Sequence, residues 1–197
     1  MDIKNMPVKL NMDTVSLPSK THEPESHTIM RLKSANTQTE LSLYDVYSRL
    51  TSGYACTGGL LSGRTDPTWL QQQLWLFDFD NKSRTLPQLT IKGAKEVFQK
   101  VGINPIFAHE TYSSTSELRK FRIGCVGEVV TCTDTRRRLM EGIVNLFPTA
   151  QEPDPKTGRI LTVAQIDRAC VDAARFFYGC TPSHYAIWFD DGEAFTI

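Results

Sequence analysis

Apolar positions along the chain fall into short blocks that switch between helical and extended spacing. In TELSLYDVYSRLTSG, Leu43, Val46, Tyr47 and Leu50 form one stripe, which predicts a helix with Thr39 as its N-cap and Gly53 at its end. WLQQQLWLFDFD closes on a continuous apolar run, the pattern of a buried strand. TIKGAKEVFQKVG predicts a short helix capped by Thr90, with Ile91, Ala94 and Phe98 inward and Gly102 at the stop. NPIFAHETYSS predicts a strand running into a polar loop, and KFRIGCVGEVVT a further strand. Asp134 is the expected cap of a helix over TRRRLMEGIVNLF, with Leu139, Ile143 and Leu146 or Phe147 inside. TVAQIDRACVDAARFFYGC reads as helical before an aromatic strand, and YAIWFDDGEAFTI as a hairpin turning at Asp191 and Gly192.

The connecting segments are polar. YACTGGLLSGRTDP is a glycine-bearing connection without phosphate-loop spacing, and PTAQEPDPKTGR reads as a loop from its proline, glycine and charge. Residues 1–36 contain Pro7, Pro18 and Pro24 and keep no sustained period, so a polar tail or arm is expected there, with one domain over 37–197. There is no internal repeat. Strands and helices mix without strict βαβ alternation, which makes the expected class α+β.

Composition narrows this picture. Hydrophobic residues make up 40% of the 197, enough for a packed core. The 22 basic and 22 acidic residues cancel, so a nucleic-acid role would need a local basic face. No apolar run approaches the roughly 18 residues that span a bilayer. The first twenty residues also lack the apolar centre of a signal peptide. The expectation is a soluble, cytoplasmic protein with no membrane partner. The five cysteines include no CxxC pair and read as reduced, mostly buried thiols; Cys180 with His184 would make only half a zinc site.

Candidate chemistry centres on LWLFDFDNK. On a strand, Asp78 and Asp80 share a face while Phe77 and Phe79 face the opposite layer. Adjacent carboxylates repel unless a cation lies between them, and a hard divalent ion suits oxygen ligands. Two such ions roughly 4 Å apart are the recurring arrangement for in-line phosphoryl transfer. The same string suits a strand end, or the nucleophile motif of haloacid-dehalogenase-like phosphatases, for which Asp190 and Asp191 could supply a late acidic motif. Lys82, two residues after Asp80, and the absent βα framework count against the phosphatase.

Taken in order, LWLFDFDNK, ETYSSTSELRKFRI and IDRACVDAARFFYG resemble the catalytic core of the archaeo-eukaryotic primase superfamily, in particular the primase-polymerase domains of plasmid and phage replication proteins. The resemblance runs from residue 54 to about 182. It implies an RRM-like antiparallel sheet with a flanking α/β unit, and template-dependent synthesis of primers or DNA. Asp78 and Asp80 match the family's Asp-x-Asp metal ligands, Asp167 the third acid, and Arg175 a basic residue that holds the incoming nucleotide. Asp172 and Asp154 are the alternatives to Asp167. The family's serine-and-histidine motif is only half present: Ser113, Ser114 and Thr115 are there, but the nearest histidine, His109, lies upstream, leaving Arg122 and Lys120 as candidates for the triphosphate. Arg119, Arg136 and Arg137 are candidates for contacts to a nucleic-acid backbone. The implied cofactors are two Mg²⁺ or Mn²⁺ ions. The implied partners are a single-stranded DNA template, nucleoside triphosphates and a helicase module on the same or another chain. The rival of another class is a replication initiator or nucleic-acid-binding module with this fold and no catalysis.

Overall fold

In chain order the computed structural model, which describes residues 2–62 and 68–197, contains β1 (Pro7–Ser16), α1 (Glu25–Leu32), β2 (Gln38–Ser42), α2 (Leu43–Thr51), β3 (Tyr54–Thr57), β4 (Gly59–Leu61), β5 (Trp69–Phe79), α3 (Ile91–Gln99), β6 (Phe107–Glu110), β7 (Phe121–Val130), α4 (Thr133–Val144), β8 (Thr149–Pro153), β9 (Ile160–Ala164), β10 (Phe176–Phe177) and β11 (Ala186–Trp188). The strands form three antiparallel sheets, ordered β10-β3-β1-β2, β11-β6-β7-β5-β4 and β8-β9. The class is α+β, with four α-helices among the described residues. None of the helices is long and apolar enough to cross a membrane.

The five-stranded sheet carries the main core. Phe77 and Phe79 of β5, with Phe121 of β7, point to one face, where Phe98 of α3 and Phe147 after α4 meet them. Phe79 stacks on Phe121 at 4.8 Å, and Phe147 meets it edge-on at 4.9 Å. Each such side chain contributes about 1.5–3 kcal/mol by leaving water. The opposite face carries Phe107 and Asp78, and α2 covers its β11 end through Tyr47, which contacts Phe107 and Trp188. Gly124 lies beneath Phe107; a Cβ there would come within 3 Å of the ring, so only glycine admits this approach.

Asn11 joins the two larger sheets. Its backbone N–H donates to Thr57 Oγ1 at 3.0 Å, its Nδ2 donates to Leu32 O at 2.9 Å, and its Oδ1 accepts from Leu61 N–H at 2.8 Å. Such a buried amide is stabilising only because its groups are paired.

Several segments depart from the sequence expectation. The first 36 residues do not form a tail: β1 lies inside the four-stranded sheet and buries Val8, Leu10 and Met12. Its proline opens the strand, where no ladder N–H is required, so Pro7 is no obstacle. Thr39 belongs to β2, and α2 is capped by Ser42, whose hydroxyl accepts from Asp45 N–H at 3.1 Å. Cys132 is the N-cap position of α4, which leaves Asp134 in the first turn. Residues 149–164 are the β8–β9 hairpin, not a loop. TVAQIDRACVDAARFFYGC, residues 162–180, contains no α-helix but one 3-10 turn, Arg168–Val171, followed by β10. Asp167 and Asp172 each accept from a backbone N–H two residues on, at 3.0 and 2.8 Å, and these local turns outcompete the helix. No C-terminal hairpin forms, because β11 pairs with β6 while Phe195 bridges Gly127 on β7. The glycine-bearing connection becomes β3 and β4, and its residues 63–67 lie outside the described residues.

One connection matters for the site. After β5, α3, β6, β7 and α4, the chain returns at 165–167 beside the end of β5. There Gln165 O accepts from the N–H groups of Asp80 and Asn81 at 2.9 and 3.1 Å, and Asp167 N–H donates to Asp78 O at 2.7 Å.

Candidate active site

The period of β5 delivers two carboxylates to one face at the strand's end. Phe77 and Phe79 are fully buried on the other side, as the alternation predicts. The chain then turns at Asn81, whose φ of 51° is left-handed, a conformation that asparagine tolerates. Its side chain fixes the turn, accepting from Leu89 N–H at 2.9 Å and donating to Arg119 O at 2.8 Å.

Asp78 is opposite Arg122 in register, and Arg122 is in turn opposite His109 on β6. Arg122 Nε donates to Asp78 Oδ1 at 2.7 Å, its NH1 group donates to Tyr178 O, and the guanidinium lies 4.8 Å over the Phe177 ring. The Arg122 side chain is 3% exposed and that of Asp78 13%, so this is a buried pair. Asp167 arrives by its backbone bond to Asp78, and its Oδ2 accepts from Arg175 NH2 at 2.7 Å. The same nitrogen of Arg175 lies 3.8 Å from Asp78 Oδ2, so it spans two acids. Asp80 pairs with Lys82 and has Lys120 Nζ 3.8 Å from its Oδ1. Burial works against the charges on Lys82 and Arg175, but Asp80 and Asp167 outweigh it, so both titrate above their ordinary values and stay cationic.

Asp78, Asp80 and Asp167 line one cavity of about 240 Å³ with Arg122, Arg175, Lys82, Thr111, Tyr112, Ser113, Phe176 and Tyr178. Lys20 and Glu25, from the segment after β1, complete its wall. Sequence reading had these two in a tail. The signal available for them was the VKLNM alternation, which makes β1 a strand and brings the following segment to the site.

The candidates divide clearly. Asp78, Asp80, Asp167, Arg122, Arg175 and Ser113 come together, with Lys120 reaching Asp80 from the side. Ser114 does not line the cavity; its hydroxyl accepts from Lys120 N–H at 3.1 Å and shapes the loop. His109 is fully buried, its Nδ1 2.8 Å from Glu110 O, so it cannot reach a nucleotide as expected. Burial, reinforced by Arg122, pushes its imidazole down to about 3 and keeps it neutral. Arg119 is exposed and held by Glu110 at 2.5 Å. Arg136 is not available to a phosphate backbone. It is 4% exposed, and its Nε and NH1 groups donate to Gln72 Oε1 and Val171 O at 2.7 and 2.8 Å. Arg137 is exposed but pairs with Asp134 and Glu141 of its own helix.

The alternatives to Asp167 do not line the cavity. Asp154 Oδ1 accepts from Lys156 N–H in the β8–β9 turn, and Asp172 caps its own turn. Asp191 meets Lys95 at 2.5 Å and Gln99 on α3, away from the cavity.

Whether the site suits a hard divalent ion depends on its donors. Three carboxylates from adjacent backbone segments are the right oxygen ligands in kind. The cations already against them, Arg122, Arg175, Lys82 and Lys120, are stand-ins for positive charge in the same place. Among the described residues no three His, Cys, Asp or Glu side chains are yet gathered around a single ion position. By donor chemistry Asp78, Asp80 and Asp167 suit a divalent ion, while in this structure their oxygens face basic partners.

Compared with protein-family models, curated proteins and solved structures, the chain matches none.

Proposed function

We propose that the chain is a template-dependent nucleotidyltransferase of the primase-polymerase type, adding nucleotides from NTPs or dNTPs on single-stranded DNA in plasmid or phage replication. The observation that carries this reading is the convergence of Asp78, Asp80 and Asp167 on one cavity with Arg122, Arg175 and Lys82. Chemistry on a triphosphate of about four negative charges needs carboxylates for metal ions and cations for phosphate oxygens, with positioning doing most of the work. The connectivity supports it too. β5, α3, β6, β7 and α4 are followed, after the inserted β8–β9 hairpin, by the 165–167 segment, whose Ile166 bridges Phe79 of β5; this order is compatible with an RRM-like sheet, with β1, β2, β3 and β10 in a second sheet.

In this reading Asp78, Asp80 and Asp167 hold two Mg²⁺ or Mn²⁺ ions. When bound, these supply an activated 3′-hydroxyl and neutralise charge on the leaving pyrophosphate. Arg122 and Arg175 bind triphosphate oxygens as forked donors. Lys82 and Lys120 add positive charge beside Asp80, and the Ser113 hydroxyl, on the cavity wall, would donate to a phosphate. The Tyr112 hydroxyl donates to Leu17 O, which holds the Lys20 segment against the same wall.

The test is incorporation of labelled dNTPs or NTPs on a single-stranded template with Mn²⁺, with and without a primer, by the wild type and Asp80→Asn. Incorporation by the wild type that falls at least about 100-fold in the variant is expected, as for loss of a charge acting on the transition state. No incorporation by the wild type, or equal incorporation by the variant, sinks the reading. One observation favours a second reading, a non-catalytic replication module: all three acids are already neutralised internally. That reading requires single-strand binding that survives Asp80→Asn with no incorporation by either protein. A phosphatase has less support, since the sheets are antiparallel and Asp191 is committed to Lys95.

A further inference from the structure

Asp78, Asp80 and Asp167 are each closed by a basic group that would itself bind phosphate. Asp78 holds Arg122 at 2.7 Å, Asp167 holds Arg175 at 2.7 Å, and Asp80 holds Lys82 with Lys120 at 3.8 Å. Arg175 also lies 3.8 Å from Asp78, so one guanidinium ties two of the three acids. A divalent cation that takes oxygens of Asp78 or Asp167 must take them from the arginines. A polyphosphate must take the arginines from the carboxylates. Each displacement removes the competitor of the other ligand.

We propose that divalent cation and polyphosphate bind here with positive coupling, because a single set of Asp–Arg pairs closes both half-sites. The proposal rests on the nucleotidyltransferase reading for the identity of the two ligands. It adds that neither half-site is open by itself. Coupling of this kind is reciprocal, and its usual size is about 5- to 150-fold in affinity. The pairs are shielded from salt to different degrees. The Arg122 side chain is 3% exposed and that of Arg175 32%, so Arg175 is the partner that exchanges more readily.

The sign of two substitutions tests this without relying on turnover. In the absence of any polyphosphate, Arg175→Gln should tighten Mn²⁺ binding, read from the electron paramagnetic resonance of free Mn²⁺, by at least about 5-fold. In the presence of a chelator and no metal, Asp167→Asn should tighten binding of inorganic tripolyphosphate, read by calorimetry, by a similar factor. If the arginine merely positions the acids, Arg175→Gln weakens Mn²⁺ binding, and that result overturns the proposal, as does unchanged affinity in either arm. A measurement on the unmodified chain guards against a variant that fails to fold. Inorganic phosphate, a poor chelator of Mn²⁺, should tighten Mn²⁺ binding to the wild type, and no tightening overturns the proposal. Incorporation is assayed in parallel. Uncoupled binding with intact incorporation ends the coupling proposal alone, whereas coupled binding without incorporation ends the polymerase reading alone.

Discussion

Replacing Asp78 and replacing Asp80 by alanine should have very different costs, although the two are neighbours on one strand face. Asp78 is 13% exposed and faces Arg122, whose side chain is 3% exposed and, among the described residues, otherwise meets Tyr178 O and the Phe177 ring. Asp78→Ala leaves that guanidinium buried without its counter-charge, a change that costs about 3–5 kcal/mol. Asp80 instead pairs with Lys82, which is 58% exposed, so Asp80→Ala should cost no more than about 1 kcal/mol. Against a typical domain stability of about 5–15 kcal/mol, the first loss is a large fraction and the second is not. Asp78→Asn keeps an acceptor for Arg122 and should lie between the two. Urea unfolding followed by tryptophan fluorescence gives the comparison, with the denaturant slope expected to stay constant across the set. Equal midpoints for Asp78→Ala and Asp80→Ala would refute the argument, because Arg122 would then not depend on Asp78. The practical corollary is that inactivity of Asp78→Ala is ambiguous, while inactivity of Asp80→Asn reports on chemistry.

Three further outcomes follow from the packing. His109 is neutral in the folded state, held down to about 3 by burial and by Arg122, and near 6.5 when unfolded, so the unfolded chain binds the extra proton between those values. Stability from this residue is therefore lost as pH falls through that window, at up to about 1.4 kcal/mol per unit. His109→Phe should flatten the decline between pH 6.5 and 4.5, measured by urea midpoints. Arg136→Met should cost about 1–3 kcal/mol by orphaning Gln72 Oε1 and Val171 O, while leaving the salt dependence of any single-strand binding unchanged. Gly124→Ala should cost about 1–3 kcal/mol because its Cβ would meet the Phe107 ring within 3 Å, seen as a lowered melting temperature.

What the sequence made legible was local and periodic. The period of two placed Asp78 and Asp80 on one face, opposite Phe77 and Phe79, and the Thr90 cap and Gly102 stop framed α3 correctly. Lys120 and Arg122, both candidates for the triphosphate, reach Asp80 and Asp78 respectively. Asp167 was recognisable as a residue but was expected on a helix, because Arg168, Asp172 and Arg175 have helical spacing. Short side-chain turns at Asp167 and Asp172 won that competition, and spacing alone cannot register them. Arg136 and Arg137 are both sequence candidates for contacts to a nucleic-acid backbone. Yet 136, 140 and 143 share the buried stripe of α4, and that spacing was a usable sign that Arg136 points inward. In the first 36 residues the one strand signal is the five-residue VKLNM alternation, and the strands that pair with β1 lie beyond them, in β2 and β3.

The bond between Asp167 N–H and Asp78 O has a consequence for the order in which the protein is made. Asp78 N–H also reaches the Cys170 thiol at 3.3 Å, 92 residues along the chain. While the ribosome is still translating, β5 and its two acids exist with no third acid, no Arg175, no β10 beside β3 and no β11 beside β6. The cavity is thus among the last features to close, and a nascent chain carries Arg122 and Asp78 beside an unfinished wall. The third acid is delivered by main-chain hydrogen bonds, and residues 155–159 of the β8–β9 turn are exposed. A chain cut at that turn would leave Asp78, Asp80 and Arg122 on one piece and Asp167 and Arg175 on the other.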